Sequence, residues 1–215
     1  MYKDPYAHLY QEMEGFDIKI LAPENKLLNG FLSLTPSTRS TYDIAMRDAT
    51  IDGLITMKPE EITKLKPSQI FYKVDCPEEL FILQSVNVFE HQYYTRNINA
   101  IKQNSFVSVQ RNGYNEETGE NEYSYIYEDL ISFITMQNKD EKNFQAGTED
   151  NTILSIQVPK KDINGNIYDI QTGDRIIVRD LKGTLSRKIK IESLDEFGVP
   201  GVIRIFGTYD TRTGE

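Results

Sequence analysis

The stretch QTGDRIIV at residues 171–178 decides how this chain folds, because LKPSQIFY at residues 65–72 has the same pattern of turn and strand. Each is followed by a second alternating stretch, LFILQSVNVF at 80–89 and KIKIESLDEF at 188–197. Matching Ile70 with Ile176 gives an offset of 106 residues and matching Ser85 with Ser193 gives 108, which a two-residue insertion in the hairpin would reconcile. The repeat predicts two similar β modules of three or more strands. Two unrelated hairpins of like length would share this alternation, so duplication and coincidence are both open.

Alternating apolar residues bounded by turn clusters recur along the chain from Phe16 onward, which predicts a mainly β fold. The predicted strands lie at 16–21, 30–34, 53–57, 70–74, 80–88, 93–101, 105–110, 123–136, 153–158, 175–178, 187–194 and 202–209. A chain of 215 residues has room for one large or two small domains. We therefore predict two small antiparallel β-barrel or sandwich modules in tandem, at residues 16–102 and 103–215, with the boundary near Lys102-Gln103-Asn104.

A short helix is predicted ahead of the strands, within residues 1–15. Asp4 is a good N-cap, Pro5 suits the first helical position, and Gly15 ends the helix. The apolar stripe of this helix, at i, i+3, i+4 and i+7, consists of Tyr6, Leu9, Tyr10 and Met13. A helix of about ten residues does not persist alone in water, so we expect the stripe to dock on its own domain or on a neighbouring subunit.

The charge of the chain is acidic overall, with a formal net charge of -9. This balance argues against a broad basic face that grips phosphates. The densest acidic stretch, NEETGENE at 115–122, is interpreted as a solvated hairpin loop, with an acidic wall facing DNA as the alternative. One basic neighbourhood stands against it, consisting of Arg175, Arg179, Lys182, Arg187, Lys188 and Lys190. A positive side that meets a neighbour's negative side explains this asymmetry, so Arg175, Arg179 and Lys188 are predicted to be subunit contacts.

Residues that carry enzyme chemistry have no supporting pattern in this sequence. His8 and His91 lack zinc-ligand spacing, and Cys76 is the only cysteine, so no intrachain disulfide can form. The glycine patterns of phosphate-binding loops and of hydrolase elbows do not occur. We therefore expect no catalytic, metal or cofactor site. No apolar leader or membrane-spanning run is found, which predicts a protein made and used without export and without a membrane partner.

A long polar run follows the strand at 123–136 and is predicted to be a loop, residues 137–151. Loops of this length inside a small domain are usually functional or disordered. Its polar, charged and aromatic members include Gln137, Lys139, Asp140, Glu141, Lys142, Phe144, Glu149 and Asp150.

The order of elements in the second half resembles the small β-barrel head-closure, or head-to-tail stopper, proteins of long-tailed bacteriophages. The features that carry the resemblance are the strand at 105–110, a Gly-rich acidic hairpin, a strand ending at Met136, the polar loop, ILSIQVP at 153–159 and TGDRI at 172–176. It covers residues 105–209, about half of the chain. The first hundred residues depart from the family. If residues 66–70 are a diverged copy of residues 172–176, the chain is a tandem barrel in which the first copy of the turn lacks the Gly-Asp pair.

The resemblance implies a non-enzymatic virion protein that is assembled in the host cytoplasm and located at the neck, the head–tail interface. Its subunits would form a homo-oligomeric ring that contacts portal, adaptor and tail proteins. The loop at 137–151 would then be the channel loop, which retains packaged double-stranded DNA without reading its sequence. In this interpretation Gly173-Asp174 is the turn that fixes the strand entering the barrel.

Three alternatives are kept beside this interpretation. One is a tail-completion or baseplate ring subunit of the same particle. The second belongs to another class, an OB-like module that binds single-stranded nucleic acid through Tyr93, Tyr94 and Arg96. The third is a carbohydrate-binding or carbohydrate-cleaving tail protein, which predicts a cleft with paired carboxylates and aromatic residues, although the chain has no Trp.

Overall fold

The strand pattern of the sequence is reproduced in a computed structural model, which describes residues 15–35, 49–87, 94–116, 119–136, 154–183 and 186–210. The first of these residues, Gly15, begins a strand. The rest of the predicted N-terminal helix, including Tyr6, Leu9, Tyr10 and Met13, lies outside the described residues, as does the predicted loop at 137–151.

Twelve strands lie within the described part of the chain, and each overlaps a predicted strand. In chain order they are β1 (Gly15–Ala22), β2 (Lys26–Leu34), β3 (Thr50–Thr56), β4 (Ile70–Lys73), β5 (Cys76–Asn87), β6 (Thr95–Lys102), β7 (Ser105–Asn115), β8 (Glu120–Met136), β9 (Leu154–Pro159), β10 (Arg175–Asp180), β11 (Ser186–Asp195) and β12 (Val202–Tyr209). Short helical turns occur at Pro23–Asn25, between β1 and β2, and at Pro59–Ile62, between β3 and β4.

These strands form two closed antiparallel barrels of six strands each, so the mainly β prediction is confirmed and the modules are barrels. The first barrel has the order β1-β2-β3-β6-β5-β4, and the second has the order β7-β8-β9-β12-β11-β10. Counted from its own first strand, each barrel therefore has the order 1-2-3-6-5-4. Closure removes the exposed strand edges that would otherwise pair with other chains.

The chain divides into two compact units, and it passes from one to the other between Lys102 and Gln103. The first unit contains the described residues up to Lys102 together with residues 161–166, and the second contains the described parts of 103–160 and those from Ile167 onward. The short stretch 161–166 is the turn that follows β9.

Each barrel has its own apolar core, built from alternate residues of its strands. The core of the first includes Phe71 and Phe81, whose rings stack with centroids 5.0 Å apart. The core of the second is mainly aliphatic and includes Val107, Val109, Ile156, Ile176, Ile189, Ile191, Ile203 and Ile205. Aliphatic β-branched side chains fit the pleated, half-buried surface of a strand, which explains why this sequence forms strands here.

The register of the strands matches between the barrels as well as their order. Phe71 pairs with Ile20 and with Phe81 in the first barrel, whereas Ile176 pairs with Val109 and with Ile189 in the second. The register shifts of β5 and β11 make Phe81 and Ile189 equivalent, so their partners Phe71 and Ile176 are equivalent as well, which gives an offset of 105 residues rather than 106. The match of Ile70 with Ile176 was wrong by one residue, and a one-residue slip turns every side chain of a strand to the opposite face.

A bulge in the fifth strand of each barrel fixes the second half of the repeat. The register shifts between Leu83 and Ser85 in β5 and between Ile191 and Ser193 in β11. Ser85 and Ser193 are therefore at equivalent positions, with the predicted offset of 108 residues. The second barrel has three more residues than the first in the hairpin between its fourth and fifth strands, one more than predicted.

Candidate interaction surfaces of the second barrel

The turn that leads into β10 is held by backbone and side-chain hydrogen bonds. Gly173 has φ of 93°, a left-handed conformation that glycine adopts without strain, and its N–H donates to the carbonyl of Ile191 at 3.1 Å. Ile191 N–H donates in turn to the carbonyl of Asp174 at 3.1 Å. The Asp174 carboxylate accepts from the backbone N–H of Gln171 at 2.9 Å. The Gly-Asp pair thus performs the turn-fixing role predicted for it.

Arg111 of β7 connects this turn to the neighbouring strand. Its Nε and one terminal nitrogen donate to the two oxygens of Asp174, each at 2.9 Å, and Asp174 is only 4% exposed. The other terminal nitrogen donates to Asp169 at 2.9 Å. Hydrogen bonds from Asp174, and secondly from Asp169, raise the pKa of Arg111. Because the Arg111 guanidinium and the Asp174 carboxylate share two parallel hydrogen bonds, they fix each other's orientation as well as pairing opposite charges.

Asp169 belongs to the same network at its solvent-facing side. The side chain of Gln171 and then the guanidinium of Arg111 hydrogen-bond to its carboxylate and lower its pKa. Its backbone N–H donates to the hydroxyl of Tyr127 at 2.9 Å. Sequence analysis assigned no role to Arg111, Asp169 or Tyr127, since nothing in their local pattern distinguishes them. The pairing of β7 with β10 brings Arg111 to the turn, and the pairing of β7 with β8 brings Tyr127.

Arg175 lies inside the protein, although it was predicted to be a subunit contact. Its side chain is 0% exposed, its Nε donates to Asp210 at 2.7 Å, and its guanidinium lies 3.6 Å from the centre of the Tyr123 ring. A buried guanidinium that is paired and covered in this way is not available to a neighbouring subunit. The prediction is therefore wrong for Arg175. This residue of β10 instead packs against Tyr123 and so holds β8 in place.

From the contact of Arg175 with Tyr123 outward, the hairpin of β7 and β8 extends as a two-stranded arm. The arm consists of the described residues between Asn112 and Tyr125, where Asn112 pairs with Tyr123 and Asn115 pairs with Glu120. None of these residues is buried. Tyr114 is 68% exposed and Tyr125 is 53% exposed. The acidic stretch at 115–122 therefore lies at the tip of a hairpin, as predicted, with residues 117–118 outside the described part.

The opposite end of the same barrel carries a group of exposed basic residues. Asp180, the last residue of β10, pairs with Ser105, the first of β7, whereas Arg175 pairs with Gln110 next to the arm. The turn after β10 is therefore at the end of the barrel that is remote from the arm. Leu181 there is 54% exposed, and the exposed cations beside it are Lys182, Arg187 and Lys188.

The other predicted contact residues differ in their surroundings. Lys188 is exposed on β11. Arg179 is part-exposed and donates to the Ser108 hydroxyl at 3.0 Å while forming an ion pair with Asp129. Asp129 is one of the few described residues with a left-handed backbone, at φ of 52°. Arg179 thus supports an irregular point of β8, and Lys188 keeps its charge toward solvent.

The predicted channel loop begins and ends at this basic end. Met136, the last residue of β8, pairs with Leu154, the first of β9. Ser132 pairs with Ser105, so Met136 lies beyond the Ser105 end of β7. Residues 137–153, which contain Gln137, Lys139, Asp140, Glu141, Lys142, Phe144, Glu149 and Asp150, therefore connect two adjacent strands at the end of the barrel opposite the arm. Those residues themselves lie outside the described part of the chain.

The OB-like alternative does not match the first barrel. An OB fold has five strands in a partly open barrel, whereas each barrel here is closed and has six. Arg96, one of its proposed contact residues, donates through a terminal nitrogen to the carbonyl of Thr95 at 2.8 Å. Tyr94 is partly buried, and Tyr93 lies outside the described residues.

Two further searches of the described residues concern metal-ligand groups and helices of membrane-spanning length. Within it, no three His, Cys, Asp or Glu side chains come together in a group that could hold a metal ion. No described helix has the length and apolar character needed to cross a membrane. No protein-family model matches the chain, and no curated protein matches it significantly.

Proposed function

We propose that this chain is a non-enzymatic structural subunit of a tailed-bacteriophage particle, a neck ring that joins head to tail and closes the DNA channel. The observation that carries the proposal is the pairing of Met136 with Leu154 at one end of a closed six-stranded barrel. A 17-residue polar connection is thereby tethered at both ends to a rigid wall, which is the arrangement that a gate over a channel needs. The order of elements in residues 105–209 resembles that of stopper proteins and supports the same function.

The charge distribution is consistent with a ring around packaged DNA. A formal net charge of -9 disfavours adhesion of the phosphate backbone to the wall of a channel. The loop would then hold DNA back by obstruction rather than by attraction, and no base reading would be required. Lys139 and Lys142 flank Asp140 and Glu141, so this part of the loop is neutral, and Glu149 and Asp150 give the whole loop a formal charge of -2.

The first barrel serves, in this proposal, as a contact with partner proteins of the particle. Its fold repeats that of the second barrel, but its first hairpin is a tight turn at Pro23–Asn25 and it has no counterpart of the arm. The predicted helix stripe of Tyr6, Leu9, Tyr10 and Met13 precedes it in sequence and provides apolar surface for the same purpose.

Electron microscopy of purified particles tests the location. With an antibody or a tag on this chain, the proposal expects a ring at the head–tail junction. A ring at the lower end of the tail would identify a baseplate subunit, and a ring between the tail tube and the neck a tail-completion subunit. Absence of the chain from the particle would refute all three.

Deletion of residues 138–150 tests the gate. The expected result is particles that attach tails but lose DNA, detected as a drop in full heads. The matched control replaces the same residues with a Gly/Ser segment of equal length, which keeps the connection but removes its side chains. If the deletion particles retain DNA as the parent does, the loop is not the gate.

A further inference from the structure

The arm of the second barrel is an addition to the shared barrel plan. Ile20 and Val109 are equivalent and differ by 89 in number, whereas Leu34 and Ile134 are equivalent and differ by 100. The second barrel therefore has eleven more residues than the first between these points. Nine of them form the outer part of the β7–β8 hairpin, beyond the pair of Gln110 with Tyr125, and the other two lie at the register shifts of β8. Closure of the barrel does not need them, since the first barrel closes without them.

The two faces of the arm differ in chemistry. Side chains alternate along paired strands, so Tyr114, Tyr123 and Tyr125 share one face, with Asn112 and Asn121. The other face carries Glu120 and Glu122, and Asn115 donates its side-chain N–H to Glu122 at 3.0 Å. The arm thus presents aromatic rings on one side and carboxylates on the other.

A two-stranded ribbon with both faces in water is marginally stable by itself. The network of Arg111 and the pair of Arg175 with Tyr123 hold only its base. Beyond Tyr123, the exposed aromatic surface of Tyr114 has no core to pack on within its own barrel. Exposed aromatic side chains rimmed by charges are typical of protein–protein contacts.

Charge indicates which surface would cover the arm. Residues 112–125 contain four acidic residues and no Lys or Arg, whereas residues 181–190 contain four Lys or Arg and no acidic residue. The basic end, defined here as Leu181, Lys182, Arg187, Lys188 and Tyr209, also offers apolar area, with Leu181 54% and Tyr209 50% exposed. Arg187 donates to the Tyr209 hydroxyl at 3.0 Å, which holds cation and ring together.

The two surfaces cannot meet within one molecule, because they lie at opposite ends of the β7–β10 pair. The run of β7 from Ser105 to Gln110 separates them by about 17 Å of extended strand. We propose that the arm docks on the basic end of a second copy of this chain. Such a head-to-tail contact uses two different patches, so it leaves one arm and one basic end unfilled at each step and builds a ring or a filament.

This inference is independent of where the protein is located. Rings at a phage neck could form through other surfaces, and the arm contact could operate outside any virion. A failure of the solution experiment below therefore leaves the particle location untouched, and a failure of the microscopy leaves the arm contact untouched.

The experiment uses the whole chain and two variants with neutralised surfaces. The arm variant carries Tyr114→Ala, Glu120→Gln and Glu122→Gln, and the end variant carries Lys182→Gln, Arg187→Gln and Lys188→Gln. The control variant, Glu60→Gln with Glu78→Gln, removes two exposed acids of the first barrel. All substituted positions are exposed, so folding is checked by circular dichroism and by the thermal midpoint.

Sedimentation velocity and light scattering are the readouts. The parent and the control are expected to form assemblies larger than a dimer at high protein concentration, and added salt is expected to weaken them. Each triple variant alone is expected to self-associate at least roughly tenfold more weakly. An equimolar mixture of the two variants should form a 1:1 dimer and nothing larger, because its outer arm and outer end are both neutralised.

Several outcomes would overturn the inference. A parent that stays monomeric at high concentration would show that the arm has a different partner. Folded variants that assemble as the parent does would show that other surfaces mediate association. A mixture that stays monomeric, or one that forms large assemblies, would contradict a contact of one arm with one basic end.

Discussion

Ser68 and Gly173 occupy the same position in their two barrels, and both have a left-handed backbone, with φ of 78° and 93°. Ser68 N–H donates to the carbonyl of Leu83 at 2.8 Å, and Gly173 N–H donates to that of Ile191 at 3.1 Å. The next residue repeats as well, because Gln69 accepts from Lys66 N–H at 2.8 Å, as Asp174 accepts from Gln171 N–H at 2.9 Å. The Gly-Asp pair is absent from the first barrel, but the turn it forms is present.

Exchange of these two residues should therefore have opposite effects on stability. Gly173→Ser forces a side chain into a left-handed backbone and is expected to lower the unfolding free energy of the second barrel by about 1 kcal/mol. Ser68→Gly relieves the same strain in the first barrel and is expected to be neutral or stabilising. Urea unfolding monitored by tyrosine fluorescence measures both. Gly113→Ala is the control, because Gly113 is exposed and has no left-handed φ. Equal losses at Gly173 and Gly113 would contradict the argument.

The buried pair of Arg175 and Asp210 should be sensitive to removal of one partner. Both side chains are 0% exposed, so Asp210→Asn leaves a guanidinium without its counter-charge inside the protein. The expected loss of unfolding free energy is about 3 kcal/mol, measured by denaturant unfolding. The comparison is Lys26→Gln, which breaks an ion pair with Glu24 whose side chains are 69% and 74% exposed. That variant should be about as stable as the parent, because water screens an exposed pair. Similar losses in both would show that burial is not the cause.

The base of the arm should become mobile when Arg111 can no longer make its two parallel hydrogen bonds to Asp174. Arg111→Lys keeps the charge but cannot donate in parallel to both oxygens of Asp174. We expect faster amide hydrogen exchange in residues 112–125 and at Gln171, with little change in the first barrel. Arg96→Lys provides the control, because Arg96 is a part-buried arginine of the other barrel that donates to a backbone carbonyl. Unchanged amide hydrogen exchange in the arm would contradict this expectation and would mean that the contact of Tyr123 with Arg175 alone holds the base of the arm in place.

The strands and their number follow from the sequence, because alternation of apolar residues is a direct record of which side chains face a core. The matching of Ile70 with Ile176 failed by one residue since both stretches are apolar on both faces near that point. Arg175 was misjudged for a related reason. A cation in a basic stretch suggests a surface residue, and only the fold shows that Tyr123 and Asp210 cover it.

The candidate surfaces were partly visible in the sequence as charge runs. The acidic run at 115–122 and the basic run at 175–190 are both evident there, and so is the idea that one neighbour's negative side meets another's positive side. Their placement at opposite ends of one barrel is not evident, because it depends on the pairing of β10 with β7, whose partners are 65 to 75 positions apart in the sequence. The network of Arg111, Asp169 and Asp174 depends on the same long-range pairing.

Acidification should weaken the first barrel through Glu79. Its carboxylate lies 2.6 Å from the Lys102 ammonium and 3.1 Å from that of Lys73, and hydrogen bonds from Lys102 and then Lys73 lower its pKa below the ordinary 4.5. A carboxyl group whose pKa is lower in the folded than in the unfolded state stabilises the fold fully above its ordinary pKa. That stability is lost as the pH falls toward the lowered value. Glu79→Gln should therefore be less stable than the parent at pH 7, with the difference shrinking below pH 4.5. Glu78→Gln, at an exposed neighbour, is the control, and a difference that persists unchanged at low pH would show that the ion pairs are not its cause.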